Sequence, residues 1–311
     1  MGQYLGQQAR RRARRAARTA RPVTAAERIE RAQVLDRPVS ALSGIAVRAL
    51  PPGRRTDLLH GVPLGQPAHP ALARLPVGCW TSAVLLDVLG GEGAERAAAT
   101  LVAAGLVAAA PTAATGAADW SALHSHQQRV GLVHAVAQAS AAALFAGSLL
   151  ARAIGRRRSG RRMALGGLAA TAAGSYLGGH LALRLGAGAS HAEPIGHLAV
   201  LGWHDLCLVA ELPQRQPVRR QLGYLSVVAV RDGDAVQVLA DRCAHLGGPL
   251  HQGLVSRAGG VDCVTCPWHG STFRLDDGSV LHGPATARQP AFETRVTDSG
   301  VVQVRPLAAA G

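Results

Sequence analysis

Hydrophobic and polar positions divide the chain into stretches of different character. Ala97 to Ala118, Val130 to Ala151 and Met163 to Leu183 each run 21 or 22 residues without a charged side chain. That is close to the ~20 residues an α-helix needs to cross a bilayer. Ala71 to Leu89 is a poorer run, with Arg74 near one end and Asp87 near the other. The pattern predicts a four-helix membrane domain over 67–190. A soluble Ala-rich bundle is the rival reading, because alanine is weakly hydrophobic and the mean hydropathy is only +0.13. Three uncharged runs of full length weigh against it.

After about residue 196 the pattern changes to short β-rich runs. Leu225–Val230, Val236–Leu239 and Val301–Val304 are bounded by turns such as Asp232-Gly233-Asp234, Asp277-Gly278 and Ser299-Gly300. Residues 196–306 are expected to form one all-β domain, long enough for its own core. The fold class is therefore α + β and multidomain: a four-helix membrane bundle followed by an all-β domain.

Residues 1–66 form a third region. An Arg-rich run from Arg10 to Arg21 carries no acid and suits either anionic lipid headgroups or a solvated tail. Thr24 and Glu27 have the spacing of a capping box opening a short amphipathic helix. No signal peptide is expected, since the first 20 residues lack an apolar run. All 33 basic residues are arginine, and the net charge is +14. No nucleic-acid-binding motif accompanies that charge, so no nucleic-acid partner is expected.

The chemistry lies near the C-terminus. Cys243-Ala-His245-Leu-Gly-Gly-Pro is followed, after 20 intervening residues, by Cys266-Pro-Trp-His269-Gly-Ser. Each loop offers one thiol and one imidazole, framed by Gly247, Gly248, Pro249, Pro267 and Gly270 in tight turns. Zinc also takes mixed Cys and His ligands, but the one-residue gap of the first pair fits its usual spacing poorly. Cys263 completes a CxxC with Cys266. A zinc site would recruit Cys263, whereas an iron–sulfur cluster would leave it a bystander.

These loops resemble the Rieske iron–sulfur family, in which two thiolates hold one iron of a 2Fe-2S cluster and two imidazoles hold the other. The resemblance implies Cys243, His245, Cys266 and His269 as ligands, with Gly283-Pro284-Ala285 as a third loop covering the cluster. Rieske proteins of cytochrome bc complexes carry an extra disulfide-bonded cysteine in each loop. Gly248 and Trp268 stand at those positions, so that disulfide is absent. The same branch uses a serine and a tyrosine to donate hydrogen bonds to cluster sulfur. Ser271 is retained, and Phe273 replaces the tyrosine. Keeping one of the two bonds implies an intermediate potential within about −150 to +300 mV, away from the upper end.

Residues 58–190 are similar to an uncharacterised four-helix membrane domain found fused to Rieske domains in high-GC bacteria. The carrying residues are His69-Pro70, Leu75-Pro-Val-Gly78, Leu86-Asp87, Asp119-Trp120 and Arg129-Val-Gly-Leu-Val-His134. Four antiparallel helices place His69, Asp119, His126, His134 and His180 on one membrane side. His134 and His180 lie at similar depth, which allows a bis-histidine haem b. A quinone site and plain interfacial hydrogen bonding are the alternatives.

Cys79 and Cys207 are expected to be small buried apolar residues. Membrane orientation is contradictory. The six arginines between Arg152 and Arg162 favour a cytoplasmic position for that loop and an external one for both termini. The Arg-rich N-terminus argues the opposite, and the expectation leans to a cytoplasmic Rieske domain. The chain reads as a multi-pass electron-transport protein of the cell membrane, carrying single electrons between a membrane donor, a quinol among the candidates, and a redox protein. The alternative is a ferredoxin-like supply subunit for an oxygenase or reductase, with the helices serving only as anchor. About 40 residues after the cluster loops leave no room for a mononuclear iron triad, so a complete oxygenase is not expected.

Overall fold

The structure, a computed structural model, describes residues 24–307 except 92, 200 and 259. The run Arg10–Arg21 lies outside the described residues. Helix α1 (Ala25–Glu30) opens with the expected capping box. Thr24 Oγ1 accepts the Glu27 N–H at 3.2 Å, and the Glu27 carboxylate accepts the Thr24 N–H at 2.9 Å. Helix α2 (Asp36–Ala49) follows. Arg129 grips its first residue, Asp36, at 2.6 and 3.0 Å and the carbonyl of Glu30 at 2.7 Å. Helix α3 (Arg54–His60) stops at Gly61, whose φ is +87° and where a Cβ would lie 2.2 Å from a backbone oxygen.

Four long helices come next: α4 (Ala68–Leu89), α5 (Ala94–Ser121), α6 (Ser125–Ala153) and α7 (Arg157–Gly179), the last running into a π-helical turn at His180–Arg184. α4 packs most closely on α5, and α6 on α7. Small residues seat the few large ones. Trp80 stacks on Phe145 with ring centres 4.6 Å apart, and a Cβ at Gly105 or Gly167 would strike those rings at 2.4 and 2.8 Å. Alanines and valines of all four helices complete this cluster. Near one end of the bundle, buried Asp87 of α4 pairs with buried Arg152 of α6, so each charge satisfies the other.

Helices α4, α5 and α6 are long and apolar enough to cross a membrane, and they carry exposed large apolar side chains such as Leu85, Val107, Val136 and Leu150. The expected fourth span, Met163–Leu183, differs. It lies on α7, which is not among the three. Arg157, Arg158, Arg161 and Arg162 occupy the start of α7 and Gly and Ala fill much of the rest, so its mean hydropathy stays low. The poorest run of the sequence reading, Ala71–Leu89, does belong to an apolar helix.

Past a short helix α8 (Ile195–Leu198), the described residues form ten strands. They are β1 (His204–Leu208), β2 (Val218–Leu222), β3 (Leu225–Asp232), β4 (Ala235–Ala240), β5 (Leu254–Ala258), β6 (Val261–Thr265), β7 (Thr272–Arg274), β8 (Val280–His282), β9 (Ala291–Val296) and β10 (Val301–Pro306). An antiparallel six-stranded sheet has the order β1-β10-β9-β4-β3-β2, and a four-stranded sheet the order β5-β6-β7-β8. Inward residues of both sheets, among them Val228, Leu239, Val264, Phe273 and Val302, form one core. Phe273 is fully buried in that core.

Candidate metal centre

Two loops at one end of this β domain carry the Cys and His pairs. The first links β4 to β5, and the second links β6 to β7. Each is closed by its own backbone. The Cys243 N–H reaches the Gly248 carbonyl at 2.9 Å and the Gly247 N–H returns to Cys243 at 2.9 Å, while Cys266 N–H reaches Ser271 at 2.8 Å and Gly270 N–H returns to Cys266 at 3.1 Å. Gly247 and Gly270 hold φ of +77° and +79°, values that favour glycine. At Gly248 a Cβ would lie 2.8 Å from Cys266 Sγ and 3.1 Å from the Trp268 ring. Its missing side chain therefore lets the two loops close on each other.

The closure brings all four predicted side chains together. Cys243 and Cys266 lie close enough for each to shift the other's ionisation, and the rings of His245 and His269 stand 5.1 Å apart at 87°. Thiols pair with thiols and imidazoles with imidazoles, the two-and-two division that a two-iron cluster with mixed ligands takes. His245 Nδ1 is buried without a hydrogen-bond partner, an orphan that coordination would satisfy. Among the described residues, no three His, Cys, Asp or Glu side chains converge on one ion position, as a tetrahedral zinc site would require. Cys263 points elsewhere: its buried Sγ contacts Ser256 Oγ at 3.2 Å on the neighbouring strand. The donor set fits a 2Fe-2S cluster and fits zinc poorly.

Protonation follows the same geometry. Burial first, then repulsion from His269, His60, His191 and His124, pushes His245 down to about 3. Burial and His124 push His269 down to about 4. The neighbouring Cys243 thiol lowers Cys266 to about 7, while Cys266 and burial raise Cys243. Neutral imidazoles and a ready thiolate are the forms that bind iron.

Ser271 and the third loop behave as one unit. Ser271 is fully buried, and its Oγ accepts the Ala285 N–H at 2.9 Å, which leaves the hydroxyl proton free to donate. Gln289 was not visible as a functional residue in the sequence. Its buried amide accepts from the Ala244 N–H at 2.9 Å and donates to the carbonyls of Ala240 and Arg242 at 2.7 and 2.8 Å, bracing the first loop. All five cysteines are free thiols, with Cys79 on α4 and Cys207 on β1 half-buried.

The imidazole face of the site packs against the helical part of the chain. His124, between α5 and α6, places its ring 5.3 Å from that of His269 and 5.2 Å from that of Trp268. The His191 N–H donates to the Ala244 carbonyl at 2.8 Å. Asp57 of α3 accepts from His282 Nδ1 and from the Gly283 N–H, both at 2.9 Å. One helical turn on, His60 bonds Asp119 of α5 at 2.8 Å, and a Cβ at Gly283 would lie 3.1 Å from its ring. A small cavity of about 30 Å³ beside His245 is lined by Pro67, Ser190 and Pro284. His69 and His134 meet in the bundle and Asp119 pairs with His60, but the expected pairing of His134 with His180 needs correction. His180 does not face His134: its Nε2 bonds Glu30 of α1 at 2.7 Å, because the π-turn rotates it toward the N-terminal helix. The ring next to His134 is that of His69.

Comparison with known proteins gives two family matches. Residues 202–293 match the Rieske [2Fe-2S] domain, and residues 65–191 match a predicted membrane protein family, DUF2231. The chain is 31% identical over 91 residues to human apoptosis-inducing factor 3, covering 29% of this chain and only 14% of that protein. It is 36% identical over 104 residues to the oxygenase subunit of tert-butanol monooxygenase / tert-amyl alcohol desaturase of Aquincola tertiaricarbonis, covering 33% of this chain and 20% of the relative. Among solved structures, it is similar to the ferredoxin of carbazole 1,9a-dioxygenase from Nocardioides aromaticivorans IC177. The identity is 22%, the coverage 34% of this chain and 98% of that one, and the TM-score 0.31.

Proposed function

Because the chain joins a Rieske [2Fe-2S] domain to a predicted membrane domain, we propose that it is a membrane-anchored carrier of single electrons between a membrane donor and a redox protein. Cys243 and Cys266 ligate one iron, and His245 and His269 ligate the other. Ser271 donates a hydrogen bond to cluster sulfur. When bound, the cluster would supply a one-electron redox site. The chain's own residues direct access to it.

One observation carries this reading: the imidazole face is covered by His124, His191 and α3 of the same chain. Here electrons enter from the helical domain, and they leave across the exposed tip Pro267-Trp268 of the second loop, where a protein can dock. A quinol is the donor this arrangement favours, bound within the helical domain, because the imidazole face is already covered by that domain. The helices lie in the cell membrane, and the cluster sits on the cytoplasmic side, which requires the Arg152–Arg162 loop at the opposite end of the bundle to face outward against the usual charge bias.

The test is to add a reduced quinol to membranes containing the protein and follow the cluster by electron paramagnetic resonance. Direct reduction supports the proposal. Reduction only after a flavoprotein reductase is supplied overturns it in favour of the ferredoxin-like alternative. Protease protection of a C-terminal tag in spheroplasts decides the side.

A further inference from the structure

His69 of α4 and His134 of α6 come from the two different helix pairs of the bundle, and their rings meet across the seam. The ring centres are 6.3 Å apart and the planes 85° to each other. Each ring is fixed from behind. His69 Nδ1 donates to the Thr112 carbonyl of α5 at 2.9 Å, and His134 Nδ1 donates to the Gly174 carbonyl of α7 at 2.7 Å. A carbonyl accepts only from N–H, so both rings carry their proton on Nδ1 and present Nε2 as a lone pair. Metal-binding histidines are oriented in the same way, the other ring N–H bonded to a carbonyl or carboxylate. Glycines hold the rings against backbone: a Cβ at Gly116 would meet His69 at 2.8 Å, and one at Gly178 would meet His134 at 3.2 Å.

The separation has a simple interpretation. Two imidazoles on opposite sides of one metal, at the ~2.0–2.1 Å of a metal–imidazole bond plus a ring radius of ~1.1 Å each, have centres roughly 6.3 Å apart. We propose that His69 and His134 are the axial ligands of a metal held between the two helix pairs, and that the metal is the iron of a porphyrin. A bare ion is poorly served, because among the described residues no third His, Cys, Asp or Glu joins the pair. A porphyrin brings four equatorial nitrogens of its own and needs only two imidazoles. The seam is the looser interface of the bundle, each helix packing more closely within its pair than across. Along α6 and α7 the site lies between the apolar clusters around Val130 and Leu177 on one side and Phe145 and Ala164 on the other. The inference does not depend on how the 2Fe-2S cluster is reduced.

The full-length protein, purified in detergent, is titrated with haemin and read by visible spectroscopy and pyridine haemochrome, with the cluster followed separately by electron paramagnetic resonance. Saturation at one haem per chain with a six-coordinate, low-spin spectrum is expected. His69→Ala and His134→Ala each lose that spectrum while keeping the cluster signal, added imidazole restores it in His69→Ala, and His180→Ala retains it. Wild-type protein with an intact cluster signal that shows no saturable haem uptake overturns the proposal. So does one zinc or copper per chain released by the same two substitutions.

Discussion

The carboxylate of Asp57 accepts two hydrogen bonds from the third cluster loop, one from His282 Nδ1 and one from the Gly283 N–H, across 225 residues of sequence. A short helix before the membrane domain thus holds the loop that covers the metal centre. Asp57→Ala removes both acceptors and leaves the Gly283 N–H unpaired, at a cost of about 1–3 kcal/mol. Hydrogen exchange at Gly283 to Ala285 should accelerate while the cluster signal persists. Unchanged exchange would show that docking rests on other contacts.

Ser271 should set the potential. A hydrogen bond to a charged sulfur contributes ~1.5–3 kcal/mol to the reduced state, which is about 65–130 mV for one electron. Ser271→Ala is expected to lower the midpoint by that amount in a redox titration. A rise would contradict donation to the cluster.

Gly248→Ala should abolish cluster assembly, because its Cβ would fall 2.8 Å from Cys266 Sγ. Gly233→Ala is the informative contrast: its φ is positive, at +63°, but nothing lies within 4 Å. It should cost roughly 1 kcal/mol of stability and keep a full complement of iron per chain.

Cluster-free protein should lose stability in acid over a defined window. His245 and His269 titrate at about 3 and about 4 when folded, below the ~6.5 of an unfolded chain. Between ~6.5 and those values the unfolded state binds more protons, so stability falls as pH drops from ~6.5 toward 4 and is flat above. Thermal melts across that range should follow this slope, and the double variant His245→Gln, His269→Gln should flatten it.

What could be read from the chain alone was local. The Cys243/His245 and Cys266/His269 pairs each lie within four residues, in loops closed by glycines that the sequence displays, so the candidate cluster site was legible as text. The capping box at Thr24 and the β-rich runs were legible for the same reason, since each depends on spacings of a few residues. Position along a helix could also be counted, and His134 lies in the first third of α6. Azimuth could not: a π-turn swings His180 to Glu30, and the packing of two helix pairs brings His69 to His134. Nor could Asp57, His124, His191 or Gln289 be found, because each acts on a loop 45 to 226 residues away or across a domain boundary. Spacing within a loop is fixed by covalent geometry and is written in one stretch of residues. Which surfaces meet is decided by the burial and hydrogen bonding of the whole fold, and that is where the imidazole face acquired its cover.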